Sequence, residues 1–71
     1  LKAQRTVAEL FQAFIDEPRL LPEDHAREAE RKEAAQGMPG RARAVADYIA
    51  GMTDRFAIVE HGRLFDPRAR T

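Results

Sequence analysis

Two runs of apolar residues at helical spacing organise the chain. Val7, Leu10, Phe11, Phe14 and Ile15 fall at i, i+3, i+4, i+7 and i+8, which is one face of an α-helix. Lys2, Arg5, Glu9 and Asp16 lie mostly off that face, so a first helix is predicted over residues 1–16. Nothing caps it ahead of Leu1, which leaves it free to begin upstream. It is expected to stop near Glu17, because Pro18 disfavours helical geometry in the residue before it. The second run is Val45, Tyr48, Ile49, Met52, Phe56 and Val59, with Leu64 and Phe65 beyond His61 and Gly62. It predicts a helical segment over about 41–65, stopped by Asp66-Pro67, with residues 68–71 as a frayed tail.

The stretch between the two runs is polar. Leu20-Leu21-Pro22 reads as a short apolar connector, each leucine contributing roughly 1.5–3 kcal/mol if buried. Pro22 suits the first turn of a helix, where its missing N–H costs nothing. Glu23 and Asp24 then sit near the positive end of the helix dipole. Residues 26–36 are Ala, Glu, Arg, Lys and Gln, with favourable i,i+4 pairs Glu23–Arg27 and Glu28–Lys32. No apolar stripe wider than alanine runs through them. A weak charged helix over about 22–36 is therefore expected, solvated and frayed or ordered only on a partner. Gly37-Met38-Pro39-Gly40 is the clearest break. With no repeat and no β alternation, the fold class is all-α, a helical hairpin or small helical bundle forming a single segment over residues 1–71.

Gly51-Met52-Thr53-Asp54 interrupts the second run. In a continuous helix Gly51 would cost about 1 kcal/mol relative to Ala, offset by close approach of another backbone. In a broken one, Gly51 takes the left-handed position after the helix and Thr53 caps a new helix. Asp54 then lies in the first turn. The break is favoured because it gives Gly, Thr and Asp each a physical role.

Composition narrows the function. Seventy-one residues support one small core, typically worth ~3–5 kcal/mol net. The chain has no Cys, so neither a disulfide nor a zinc thiolate is available. Twelve basic residues balance twelve acidic ones. With aromatics at 7%, this weakens a nucleic-acid reading built on Arg41, Arg43, Arg55, Arg63, Arg68 and Arg70. No apolar run approaches the ~20 residues of a membrane span, and no signal segment opens the chain. A cytoplasmic location is expected. The first residue is Leu, so a processed chain or a piece of a longer one is expected.

No catalytic constellation is visible. Asp47 and Asp54, seven apart, would share a face of a continuous helix, but no His or third carboxylate joins them. They read as a surface or buried hydrogen-bonded Asp and a capping-turn Asp. Tyr48 reads as a core residue with its hydroxyl at the edge. Met52 and Phe56 read as packing, and Arg41 and Arg43 as solvated. His25 and His61 read as lone histidines without a ligand role. Arg55, following the capped turn, is the best candidate for touching a substrate or neighbouring subunit, because its fork suits phosphates and carboxylates.

The run Asp47-Tyr48-Ile49-Ala50-Gly51-Met52-Thr53-Asp54-Arg55-Phe56-Ala57 resembles a signature of the deoxyguanosinetriphosphate triphosphohydrolase family, in the segment after its catalytic HD domain. The flanks fit in order: Phe11-Gln12-Ala13-Phe14, Leu20-Leu21 between Pro18 and Pro22, Arg43-Ala44-Val45, and Glu60-His61-Gly62-Arg63-Leu64-Phe65. The match is specific over residues 45–57 and weak over 23–40. The resemblance implies a parent that cleaves dNTPs to deoxynucleoside and triphosphate with a divalent metal, Mg or Mn. That family's metal motif, a His, a His-Asp pair and a later Asp, does not occur in this sequence. The implied role is a non-catalytic C-terminal helical part that packs on the HD core and belongs to a homo-oligomer. Asp47, Tyr48, Gly51, Met52, Thr53, Asp54 and Phe56 would be its structural signature, with no catalytic, metal or cofactor residue. The rival reading is an independent helical interaction module.

Overall fold

The computed structural model describes residues 4–66. Four helices follow one another: α1 Gln4–Asp16, α2 Glu23–Gln36, α3 Met38–Ala50 and α4 Asp54–Phe65, with a 3₁₀ turn Pro18–Leu20 after α1. No strand occurs among the described residues. This is the expected all-α small bundle. The expected helix start at residues 1–3, Pro67 and the tail with Arg68 and Arg70 lie outside the described residues.

The first apolar stripe turns inward as its spacing requires. Leu10 and Phe14 are fully buried, and Val7, Phe11 and Ile15 pack partly against them. Glu17 has left helical geometry (φ −141°), as a residue before proline must. Of the two connector leucines, Leu21 is buried and Leu20 half-buried.

The central helix corrects the expectation of a frayed segment, while most of its residues are exposed as expected. α2 runs for 14 residues and lies closely along α3. The expected pairs form, Arg27 Nη1 lying 3.2 Å from Glu23 and Lys32 Nζ 3.7 Å from Glu28. What holds the helix down is small size. Ala29 on α2, and Gly40 and Ala44 on α3, are buried. A Cβ on Gly40 would overlap the Lys32 carbonyl oxygen and come within 2.6 Å of the carbonyl carbon. Two backbones in near contact need no large apolar side chains between them.

The break between α2 and α3 is narrower than expected. Gly37 alone joins them, at φ 72° and ψ −157°, a conformation essentially restricted to glycine. α3 begins at Met38 instead of residue 41. Pro39 sits in its first turn, where a missing N–H leaves no helical bond unmade.

Arg41 is also corrected: it is partly buried, not solvated. Its Nε donates to Glu33 Oε1 at 2.8 Å, and its Nη1 donates to the Ile15 carbonyl, also at 2.8 Å. One guanidinium thereby ties the open carbonyl end of α1 to α2 and α3. Arg43 is exposed, as expected, and pairs with Asp47.

The helix breaks after Ala50, but Gly51 is not left-handed. It is right-handed (φ −81°, ψ −7°), and its N–H reaches both the Asp47 and Tyr48 carbonyls at 3.2 Å. The last turn tightens instead of reversing. Thr53 then goes extended, and its Oγ1 accepts from Phe56 N–H at 3.0 Å. This cap should be worth about 1 kcal/mol. Thr53→Ala is expected to lower the denaturation midpoint accordingly, and Thr53→Ser to restore most of it.

The extended Thr53 resets the phase of the helix that follows. Ala57, Glu60 and Leu64 face inward. Phe56 and Val59, expected on the buried stripe with Met52, are instead 45% and 61% exposed. Met52 itself is buried. The apolar spacing of residues 45–59 fits one continuous helix, which the chain does not form.

Candidate functional site

The family-like signature occupies the corner where α3 turns into α4. Asp47 lies 3.1 Å from Arg43 and 3.6 Å from Lys32, tying α3 to α2. Thr53 and Asp54 form the capped first turn of α4. The break places the two aspartates on separate helices. Arg55 is exposed and forms no ion pair or side-chain hydrogen bond among the described residues.

Behind the corner sits a polar cluster. Tyr48 projects from α3 with its ring edge-on to Phe14, centroids 5.6 Å apart. The His25 ring of α2 also packs on it, tilted, with centroids 4.6 Å apart. The Tyr48 hydroxyl donates to Glu60 Oε2 at 3.3 Å. Glu60, only 6% exposed, is gripped by Arg63 one turn further on: Nε to Oε1 at 2.8 Å and Nη2 to Oε2 at 2.7 Å. The same Nη2 donates to the Leu20 carbonyl at 3.2 Å, fastening α4 to the connector.

The electrostatics follow from this fork. Hydrogen bonding from Arg63 is the main effect holding the Glu60 carboxyl below the ordinary carboxylate range, against the opposing effect of burial. Burial chiefly, then the Glu60 charge, pushes the Tyr48 phenol up. Glu60 is thus an ionised, satisfied anchor, and Tyr48 a protonated donor. Neither is poised to move a proton to a substrate near neutral pH.

A pH dependence follows. The folded pKa of Glu60 lies below its unfolded value, so its stabilisation is complete above the ordinary glutamate range. It is lost as pH falls through the lower folded value. Glu9, lowered first by its hydrogen bond to His61, adds a loss of the same sign in the same acid window. Glu60→Gln should cost about 1–2 kcal/mol at neutral pH, discounted because Arg63 is half-exposed. It should also flatten the acid limb of a plot of stability against pH.

Neither histidine is lone. His61 Nε2 lies 2.6 Å from Glu9 Oε1, joining α4 to α1 across 52 positions, and its ring packs on Phe65 at 4.5 Å. Periodicity carries no trace of such a pair. Glu60 and Arg63, which sequence reasoning did not pair, form the centre of the cluster. The one available signal was a glutamate at the inward spacing of α4 with an arginine three residues later.

An open groove of about 410 Å³ borders the cluster, and its lining includes Leu21, Tyr48, Phe56, Arg19 and Arg63. Both arginines are already paired, Arg19 with Glu17 and Arg63 with Glu60. Among the described residues, no three His, Cys, Asp or Glu side chains converge in a way that could hold a metal ion. No helix of the described residues is long and apolar enough to cross a membrane.

Fold and corner together define a small all-helical domain with an apolar core and a polar cluster at its edge. The chain belongs to the phosphohydrolase-associated domain family, whose model matches residues 1–63. It is 58% identical over 65 residues to a deoxyguanosinetriphosphate triphosphohydrolase-like protein of Bordetella pertussis, covering 92% of this chain and 15% of that protein. A protein of the same description from Azoarcus is 48% identical over 64 residues, 90% of this chain and 15% of the relative. One from Geobacter metallireducens is 44% identical over 70 residues, 99% of this chain and 16% of the relative. The chain thus spans about 15% of the length of the curated relatives it matches. No solved structure matches it.

Proposed function

We propose that this chain is a non-catalytic helical part of a dNTP triphosphohydrolase, C-terminal to a catalytic HD core that carries a divalent metal. Its role would be to pack on that core and support a homo-oligomer. The observation that carries the reading is the match of 58% identity over nearly the whole chain to a triphosphohydrolase-like protein several times its length. The corner supports it from the chemical side. Its carboxylate, phenol and guanidinium are spent on one another, which suits a scaffold. Arg55, exposed at the start of α4, is the side chain this reading would place nearest a substrate or a neighbouring subunit.

The test compares the full-length protein with the 71-residue chain in dGTP and Mn²⁺ or Mg²⁺. The full-length protein should release triphosphate, and the chain alone none above a buffer control. Turnover by the isolated chain, or none by the full-length protein with any dNTP, would sink the proposal.

A further inference from the structure

Nothing within the described domain calls for a glycine at position 62. Gly37 is required by its positive φ and Gly40 by the backbone of α2. Gly62 lies inside α4, and a Cβ there would meet nothing within 4 Å. A glycine in a helix interior weakens the helix, so open space alone does not favour it. Its neighbours are equally unexplained. Arg55, Ile58, Val59 and Gly62 fall at i, i+3, i+4 and i+7, one stripe of α4. Ile58 is 67% exposed and Val59 61%, with Phe56 at 45% beside them. The inward stripe Ala57, Glu60, His61 and Leu64 has the same spacing. α4 therefore carries apolar side chains on two faces, the pattern of a helix covered on both sides.

A pair of β-branched side chains beside a glycine is a surface on which another helix packs closely, its ridge filling the space the absent side chain leaves. Two facts identify the occupant. The relatives extend far beyond this segment, which is about 15% of their length. The face is also small, one stripe of a 12-residue helix, whereas a stable association between separate molecules needs roughly 800 Å² per partner. A seat within one polypeptide avoids the loss of translational and rotational freedom that such a small patch could not offset. We infer that the Ile58–Val59–Gly62 face of α4 seats a helix from the remainder of the same polypeptide, with Phe56 packed alongside and Arg55 at the rim. This inference rests on the reading of the chain as part of a larger hydrolase.

The test uses the full-length protein with Val59→Cys, a near-isosteric change in a segment that has no cysteine of its own. Maleimide labelling of that position is followed by mass spectrometry of the peptide, under native conditions and in denaturant. Native labelling should be slower than denatured labelling by ~100-fold or more, since it must wait for local opening. It should be unchanged when the protein is diluted, and Gly62→Leu in the same background should abolish the protection. Labelling at the denatured rate would overturn the inference. So would protection lost on dilution, which would make the occupant a second copy, or protection indifferent to Gly62→Leu. Triphosphate release by the same Val59→Cys protein separates this from the parent reading. Turnover without protection removes the seat alone, and protection without turnover removes the hydrolase reading alone.

Discussion

Gly40→Ala is expected to destabilise the pairing of α2 and α3 by about 1–3 kcal/mol, although it adds one methyl group and improves helix propensity. The added Cβ would overlap the Lys32 carbonyl and press on Gln36 Cβ at 3.2 Å. The first of these is backbone in a hydrogen-bonded helix, which cannot swing aside as a side chain would. Relief requires α2 to lift from α3, and that would strain the contact of Ala29 and the bond between Arg41 and Glu33. Hydrogen exchange at the α2 amides of the full-length protein should accelerate, while α4 changes less. Gly51→Ala is the control. There the backbone is right-handed and the nearest atom to a new Cβ is 3.6 Å away, so no comparable loss should appear. Equal exchange in the Gly40→Ala and native proteins would remove close backbone approach as the reason α2 is ordered.

Phe14→Ala should have the largest effect of any single truncation, about 3–5 kcal/mol. Phe14 is fully buried: its relative accessibility is 0%, and its ring meets the Tyr48 ring edge-on. A core of this size supplies net stability of only ~3–5 kcal/mol, so the variant is predicted to lose its cooperative transition. Tyr48 would also lose the wall that holds its hydroxyl toward Glu60. The same change should therefore loosen the polar corner, and exchange at α4 amides should rise together with that at α1. Chemical denaturation followed by circular dichroism reads the first effect. A cooperative transition shifted by less than about 1 kcal/mol would mean that the core does not centre on Phe14.

Much of this domain was legible because it obeys local rules. The α1 stripe, the stop at Pro18, the ion pairs along α2 and the cap at Thr53 each rest on residues within a turn or two of one another. The resemblance read at residues 45–57 pointed to an HD-associated segment, and the chain belongs to the phosphohydrolase-associated domain family. The misreadings share a different cause. α2 looked frayed because Ala29 carries little hydropathy, and its partner is a gap at Gly40, not a side chain. Arg41 looked solvated because its acceptors, Glu33 and the Ile15 carbonyl, come from elements that meet only in the fold. Phe56 and Val59 looked buried because their spacing fits an unbroken helix, and one extended residue at Thr53 rotates them outward. His61 looked lone because Glu9 is 52 positions away.

That long reach also orders events during synthesis. Within this segment Phe11, Phe14 and Ile15 are made before their cover, which comes from α3 and α4, whose inward residues run to Leu64. The bond from Glu9 waits on His61. No local hairpin can shelter the first stripe in the interval, because α2 offers it mainly alanine and charge. Within this segment the first stripe therefore stays without its native cover until α3 and α4 are made, the condition in which chaperone capture and misassembly compete with folding.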